Sequence, residues 1–246
     1  AQALPSTNMW FAFIRGAGKQ YGLLWYGNAS VFNRWGFKSY FMSTGGQDSY
    51  ERGDPENGAS LSLLKRILYT EYMYNSVMLG YDMGWLNDDH QCACIDPRYC
   101  EKRENEYLNP LGIVQERLRL FVEKHGSPGI LYTPVCLYAG FFNGWQPPRH
   151  LYTQNIYTAW GNRPYSGGDH QLHRLLDLIW PGYNDCSYFR DERGFLTATP
   201  YGDLADIILD DVRPELLGAY RLLLVCGDGD LTYESYGKIL RFVRGG

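Results

Sequence analysis

The sequence predicts an α/β protein in which part of a (β/α)8 barrel is followed by a second unit with its own parallel sheet. The first supporting observation is that helix-like and strand-like segments alternate along the chain. The second is that long loops follow the strands of the first half, which is the rhythm of β/α barrels. The third is a Pro/Gly break near residue 126, after which a new series of strands and helices begins. We therefore predict two parts, residues 1–125 and residues 126–246.

Helices and strands alternate in the predicted first half. The helix at residues 60–75 is the clearest, since Leu64, Ile67 and Leu68 recur close to the helical period. The helix before it is expected to end at Gly22, because glycine commonly terminates helices. In order, the predicted elements are the end of a helix at 9–22, a strand at 23–30, the helix at 60–75, a buried strand at 76–82 and an amphipathic helix from about Asn109 to Lys124.

The second half is predicted to be a βαβ series with a parallel sheet. Its strand candidates are short apolar runs, and the helix between the first two is expected to end before Pro181. In order, the predicted elements are a strand within 127–140, a helix at 167–180, a strand within 203–212, a short segment at 214–220, a strand within 221–232 and a closing helix at 233–246.

Charge and hydropathy exclude two classes of partner. The chain has 23 basic and 27 acidic residues, a net charge of −4, spread along the sequence. Because no basic stripe is present to neutralise phosphates, we expect no nucleic-acid partner. No apolar run approaches the roughly 18 residues of a transmembrane helix, so no membrane partner is expected. The N-terminal AQALPSTN shows no cleavable signal and is typical of a processed or internal start.

Aromatic side chains and one carboxylate indicate a carbohydrate site. Aromatic residues make up 16 % of the chain, and many lie in loops rich in Gly, Asn and Pro, where rings can stack on sugars while polar neighbours bind hydroxyls. Asp82 ends the strand predicted at 76–82, and catalytic groups of β/α barrels lie at such strand ends. The alternative is that the rings pin long loops onto the core and that Asp82 only receives backbone hydrogen bonds. The predicted sugar-binding residues are Trp25, Trp35, Tyr81 and Trp85.

The six cysteines fall into two groups. Cys136 and Cys226 lie in apolar strand-like runs and are predicted to be buried thiols. The other four lie in polar loops and are disulfide candidates, since their spacing matches no common zinc pattern. Asn28 begins an N-glycosylation sequon, and together these features favour a secreted, extracellular glycoprotein without a metal site. The disulfide candidates are Cys92, Cys94, Cys100 and Cys186.

Several segments together carry a resemblance to a known family. In the second half these are YTPVCLYAGFFNGW, the middle helix, and AYRLLLVCGDGDLTYESYGKILRFVRGG. In the first half they are KQYG and SLSLLKRILYTEYMYNSVMLGYD. The chain resembles the C-terminal part of a β-galactosidase-like TIM-barrel glycoside hydrolase followed by its flavodoxin-like, class I glutamine-amidotransferase-like domain. In that family another strand follows the closing Gly pair, so the resemblance implies an incomplete second domain.

The resemblance also implies a place for the chemistry. Retaining glycosidases use two carboxylates about 5–5.5 Å apart, one as acid/base and one as nucleophile. The strand ending at Asp82 corresponds to the one that carries the nucleophile, whereas the acid/base strand is expected upstream of Ala1. About 125 residues are too few to close a barrel of about 250. The chain is therefore expected to be a fragment, with the remainder of its own longer chain as a partner.

Three functions are compatible with this sequence. The first is retaining hydrolysis of an oligosaccharide or polysaccharide, with Asp82 in place of the glutamate expected in the family. The second is a catalytically inactive extracellular structural or carbohydrate-binding protein that kept the glycosidase fold. The third, a nucleotide-binding module, is disfavoured because residues 227–230 lack a phosphate-loop pattern. No cofactor is expected, and a homo-oligomer is expected because the amidotransferase-like domain often helps to assemble trimers in related enzymes.

Overall fold

A computed structural model describes a large part of this chain: residues 7–29, 61–80, 87–88, 101–103, 106–108, 110–141, 167–181, 196, 199–227 and 231–245. Within these ranges the fold is mixed α/β. The helices are α1 (Thr7–Tyr21), α2 (Leu61–Met73), α3 (Pro110–His125), α4 (Gly167–Ile179), α5 (Pro214–Leu217) and α6 (Tyr233–Gly245). The strands are β1 (Asn87–Asp88), β2 (Glu101–Arg103), β3 (Glu106–Leu108), β4 (Val135–Ala139), β5 (Ala205–Leu209) and β6 (Leu222–Cys226).

Contacts within the chain divide it into two compact units. The sheet unit contains α1, β4, α4, β5, α5, β6 and α6, and the helical unit contains α2, α3 and β1–β3. The first helix thus belongs with the last hundred residues of the chain, although the helical unit lies between them in sequence. The boundary predicted near residue 126 places α1 in the first part of the chain. That boundary stays a prediction.

A small parallel sheet forms the centre of the sheet unit. Its strand order is β5-β4-β6, so β4 pairs with both neighbours. The register is fixed by Leu137, which lies opposite Ile207 on one side and Leu224 on the other. Helix α4 lies between β4 and β5 in sequence, and α5 lies between β5 and β6, as parallel strands require long crossovers. This confirms the predicted parallel sheet of the second half.

The two faces of this sheet bury separate apolar clusters. On one face, Met9 and Ala12 of α1 and Leu172 and Leu176 of α4 pack with Leu137 and other strand residues. The opposite face packs against α5 and α6; its buried members are Cys136, Tyr138, Ile208, Val212, Leu217 and Tyr220. Because both faces are covered, the strands read as continuous apolar runs rather than as alternating ones.

Helix α1 lies directly against the outer edge of β5. A Cβ atom at Gly16 would overlap the carbonyl oxygen of Ile207, so only glycine allows this approach. Gln20 accepts the N–H of Leu209 at 2.9 Å, and its amide donates to the Leu209 carbonyl at 3.4 Å. Arg15 Nη2 donates to the Ala205 carbonyl at 2.9 Å. These bonds satisfy backbone groups that an open sheet edge leaves unpaired.

A buried carboxylate ties α1 to the sheet. Asp206 is fully buried, and its Oδ1 accepts a hydrogen bond from Arg15 Nε at 3.0 Å. Its Oδ2 accepts from Thr133 Oγ1 at 2.6 Å and from Tyr220 OH at 3.1 Å, and it forms an ion pair with Lys19. A buried charge is stable only when it is paired and hydrogen-bonded, and both conditions hold here.

The helical unit is held by an aromatic contact between α2 and α3. Phe121 of α3 packs edge-on against Tyr72 of α2, with ring centroids 5.8 Å apart, and lies 5.6 Å from Tyr69. The Tyr72 hydroxyl donates to the Gly126 carbonyl at 2.5 Å, which fixes the end of α3. Residues Leu63, Leu64, Ile67 and Leu68 of α2 are fully buried. The helical periods predicted for 60–75 and 109–124 are therefore confirmed.

The other helix predictions are confirmed, but the strand predictions of the first half are not. The first helix ends at Tyr21, before Gly22 with φ +63. Residues 23–28 form no strand, and only Ala29 makes a bridge. In the segment predicted as a buried strand at 76–82, the described residues 76–80 form no strand, and Val77 and Met78 are each 59 % exposed. The apolar run at 76–82 predicts burial, but burial requires neighbouring elements that cover the run, and a local pattern does not show whether these exist.

A second, antiparallel sheet was not expected from the sequence. Strand β3 pairs with β1 and with β2, giving the order β1-β3-β2. All three strands are only two or three residues long, which is too short for an apolar periodicity to reveal them.

Candidate functional site

Most of the residues predicted to bind sugar lie outside the described ranges. These are Trp35, Tyr81, Asp82 and Trp85. The described residues that lead toward them are the extended segments 26–29 and 76–80, which belong to the helical unit. The pairing of these two segments therefore bears on the predicted site.

The two segments run parallel, and the first donates backbone hydrogen bonds to the second. Gly27 N–H donates to the Met78 carbonyl at 2.9 Å, and Ala29 N–H donates to the Gly80 carbonyl at 2.9 Å. Both partners advance by two residues in the same direction, which is the pattern of a parallel pair. The Ser76 hydroxyl adds a third contact by accepting the Gly27 N–H at 2.7 Å. Helix α2 lies between the two segments in sequence, so together they form a β/α/β-like unit with very short strand pairing.

Parallel pairing has a consequence for Asp82. The carboxyl ends of parallel segments meet at one edge, and ligand sites of α/β folds form outside that edge. Gly80 is the last described residue before Tyr81 and Asp82, and Ala29 is its partner. The chain thus enters both predicted loops from the same end of the paired segments.

Glu71 is a buried acid beside Gly27, where the paired segments begin. It lies near the C-terminal end of α2, is fully buried, and its carboxyl contacts Gly27, where any Cβ would overlap it. Burial raises the pKa of Glu71 to about 8, a property often found in a general acid. However, the carboxyl lies level with Gly27, where the paired segments begin, and is closed to solvent. We therefore assign Glu71 to packing and not to the reaction; no sequence pattern distinguished it from the exposed acids.

Trp25 is half-buried and packs within the sheet unit. Its ring lies 6.0 Å from that of Phe11, tilted by 54°, and its edge lies close to Gly18 of α1. The contacts are those of a ring that holds a loop onto a core, which was the alternative interpretation of the loop aromatics. Sugar binding by Trp25 stays a prediction.

Asn28 lies between the two hydrogen-bonded residues Gly27 and Ala29. It is half-buried, and its Oδ1 atom is buried without a hydrogen-bond partner among the described residues. Glycosylation at Asn28 stays a prediction.

The cysteines divide as predicted where they can be located. Cys136 and Cys226 are buried free thiols. Burial raises the pKa of Cys226 to about 12, and burial followed by the Asp206 charge raises the pKa of Cys136 further. Such thiols do not form the thiolate that a nucleophile requires. The four disulfide candidates lie outside the described ranges, and the described residues contain no His/Cys/Asp/Glu cluster able to hold a metal.

The carboxyl end of the parallel sheet carries a polar cluster that the sequence analysis did not single out. Asp210 accepts the Phe141 N–H at 3.0 Å, and its carbonyl accepts from Tyr138 OH at 3.2 Å and from Lys238 Nζ at 2.8 Å. The sequence signal for this cluster is the acidic pair Asp210-Asp211, which directly follows β5. Since these groups bond to one another, we interpret the cluster as closing the strand ends onto α6.

None of the helices in the described ranges is long and apolar enough to span a membrane. Comparison with protein-family models, with curated proteins and with solved structures found no match.

Proposed function

We propose that this chain is a glycoside-hydrolase-like protein that acts on or binds an oligosaccharide or polysaccharide, with Asp82 at the position of a retaining nucleophile. The observation that carries the proposal is the parallel pairing of residues 27–29 with 78–80 across α2. This pairing is what neighbouring strands of a β/α barrel require, and in sequence Asp82 follows the second paired segment by two residues. The carbohydrate itself is inferred from the resemblance and from Trp85, which follows Asp82 by three residues in sequence.

The sheet unit agrees with the second half of the proposal. Its strand order is β5-β4-β6, so the strand that comes first in sequence lies between the other two. The first three strands of flavodoxin-like sheets have the same order. We propose that this unit is the amidotransferase-like domain of such an enzyme. The buried, protonated thiols of Cys136 and Cys226 support a role without glutaminase chemistry.

A hydrolysis assay tests the catalytic form of the proposal. On a dinitrophenyl β-galactoside, whose leaving group needs no proton, we expect Asp82→Asn to lower kcat/KM by roughly 10³-fold. The matched control is Asp54→Asn, which removes an acid from the sequence between the predicted strand at 23–30 and the helix at 60–75 and should leave turnover unchanged. Unchanged turnover in Asp82→Asn would exclude Asp82 as the nucleophile.

The second candidate is a binding protein without catalysis, favoured by an aspartate where the resemblance implies a glutamate. The shorter side chain displaces the carboxylate by about a methylene, and ~1 Å of misplacement can cost 10²-fold in rate. On a glycan array we expect Trp85→Ala to weaken retention by roughly fivefold, since a stacked ring contributes about 1 kcal/mol. Tyr233→Ala is the control, because Tyr233 is 99 % exposed and lies on α6 of the sheet unit. A protein that neither hydrolyses nor retains any glycan contradicts both forms.

A further inference from the structure

The segment between α3 and β4 is exposed and forms neither helix nor strand. We call residues 127–132 the linker. Ile130 is 87 % exposed and Tyr132 is 68 % exposed. In the part of the chain that the structure describes, the only hydrogen bond of the linker joins the Gly129 N–H to the Ser127 hydroxyl at 3.3 Å. The backbone groups of the linker are therefore accessible to another molecule, and exposed segments of this kind are where proteases cut folded proteins.

The fold resumes at Thr133, directly after the linker. Thr133 is buried and its hydroxyl donates to Asp206 at 2.6 Å, while the Pro134 carbonyl accepts two backbone N–H groups. An endoprotease holds its substrate as an extended strand and bonds to the backbone on both sides of the scissile bond. The Ile130–Leu131 bond has linker residues on both sides, whereas cleavage nearer to Thr133 would require the fixed residues to leave the fold.

Helix α1 precedes the linker in sequence, yet it packs on strands that follow the linker. Met9 of α1 is fully buried in the cluster on the sheet. Arg15 Nε donates to Asp206 Oδ1 at 3.0 Å, with side chains only 3 % and 0 % exposed. The Leu209 N–H donates to the Gln20 side chain at 2.9 Å. Cleavage of the linker breaks none of these contacts, so they remain to hold the two parts of the chain together.

We propose that the linker is a processing site for an endoprotease with an aliphatic specificity pocket, and that the cleaved chain persists as two fragments held together by α1. Ile130 fills the pocket because it is the most exposed apolar residue of the linker. The step is hydrolysis: water adds across the Ile130–Leu131 peptide bond, which leaves a carboxylate on Ile130 and an ammonium group on Leu131. One fragment then carries α1, α2 and α3, and the other carries the parallel sheet.

Limited digestion of the full chain with pancreatic elastase, whose pocket accepts aliphatic residues, tests the site. We expect a fragment that begins at Leu131, identified by N-terminal sequencing. Ile130→Asp changes an exposed side chain, so it should leave the fold intact and abolish this fragment. A digest in which other bonds are cut while the Ile130–Leu131 bond stays intact overturns the proposal.

Gel filtration of the cleaved protein tests whether the fragments stay together. Because α1 keeps its buried apolar side chains and its ion pair with Asp206 after cleavage, we expect both fragments to elute together at the volume of the uncut chain. They should separate in urea, which shows that the chain was cut. Fragments that separate without denaturant overturn the proposal.

Substitution of Arg15 tests whether α1 is the element that holds the fragments. In cleaved Arg15→Ala, we expect the protein concentration at which half of the fragments separate to rise by on the order of 30-fold, because the buried pair with Asp206 is broken. Arg119→Ala breaks ion pairs within α3, where Arg119 is 51 % exposed, and should leave this concentration unchanged. Equal separation of the two cleaved variants overturns the proposal. If Arg15→Ala loses its far-UV circular dichroism before cleavage, Gln20→Ala replaces it with an expected rise of about fivefold, and the same outcome decides.

Discussion

Glu71 carries a carboxyl whose environment makes the stability of the chain depend on pH. Burial raises its pKa from the ordinary value of 4.5 to about 8. Between these values the folded protein keeps a proton that the unfolded chain releases, so the free energy of unfolding falls as the pH rises. The favourable contribution is full below pH 4.5 and is lost as the pH rises through about 8.

Glu71→Gln should remove this dependence, because the amide does not ionise. Between about pH 5 and about pH 8, the wild-type protein should lose on the order of 4 kcal/mol relative to the variant. Urea denaturation of both proteins at the two pH values measures the difference. Glu123→Gln, on the exposed surface of α3, is the control and should follow the wild type. Equal pH dependence in wild type and Glu71→Gln would contradict the assigned burial of this acid.

Asp206 is the residue on which the attachment of α1 depends. Asp206→Asn leaves the buried Arg15 guanidinium without its carboxylate and should lower the free energy of unfolding by about 3–5 kcal/mol. The comparison is Glu215→Gln, which breaks the ion pair with Arg241, where both side chains are 67 % exposed, and should change stability by less than about 1 kcal/mol. Chemical denaturation measures both. A loss in Asp206→Asn no larger than in Glu215→Gln would show that the buried pair contributes little.

At the scale of elements, the paired segments of the helical unit depend on the close approach of Gly27 to α2. Gly27→Ala would bring a methyl group into the Glu71 carboxyl and should destabilise the protein by roughly 1–3 kcal/mol. Gly80→Ala, in the partner segment, meets no atom within 4 Å and should have little effect. Thermal denaturation of the two variants separates them, and equal melting temperatures would exclude the contact between the segment and the helix.

The elements predicted correctly are those whose signal is local. Helix α3 follows from the spacing of Val114, Leu118 and Phe121, and strands β4, β5 and β6 follow from short apolar runs bounded by Gly, Pro or Asp. Local patterns do not report which neighbours a segment meets. The run at 76–82 has the composition of a buried strand, yet Val77 and Met78 are exposed. The residues of the predicted sugar site, Asp82 among them, stay predictions.

At the scale of the whole molecule, the order of elements in sequence differs from their order in space. Helix α1 completes a sheet whose strands begin more than a hundred residues later, through contacts such as Arg15 to Asp206. Such contacts are polar and join residues distant in sequence, and no periodic pattern around either partner predicts the contact. A division of the chain by composition therefore separates α1 from the unit that it stabilises. We expect a variant that begins at β4, and therefore lacks α1, to leave the outer edge of β5 exposed, and amide exchange at residues 205–209 would then be faster than in the full chain.

The central claim is that Asp82 occupies a nucleophile's position in a carbohydrate site. Retaining hydrolysis passes through a covalent glycosyl–enzyme, and a 2-deoxy-2-fluoro galactoside with an activated leaving group lets that intermediate accumulate without help from an acid. The measurement is the intact mass of the full chain after this treatment, followed by peptide mapping. We expect one fluorosugar addition on the peptide that carries Asp82, absent from Asp82→Asn. No addition, or an addition that persists in Asp82→Asn, would contradict the claim.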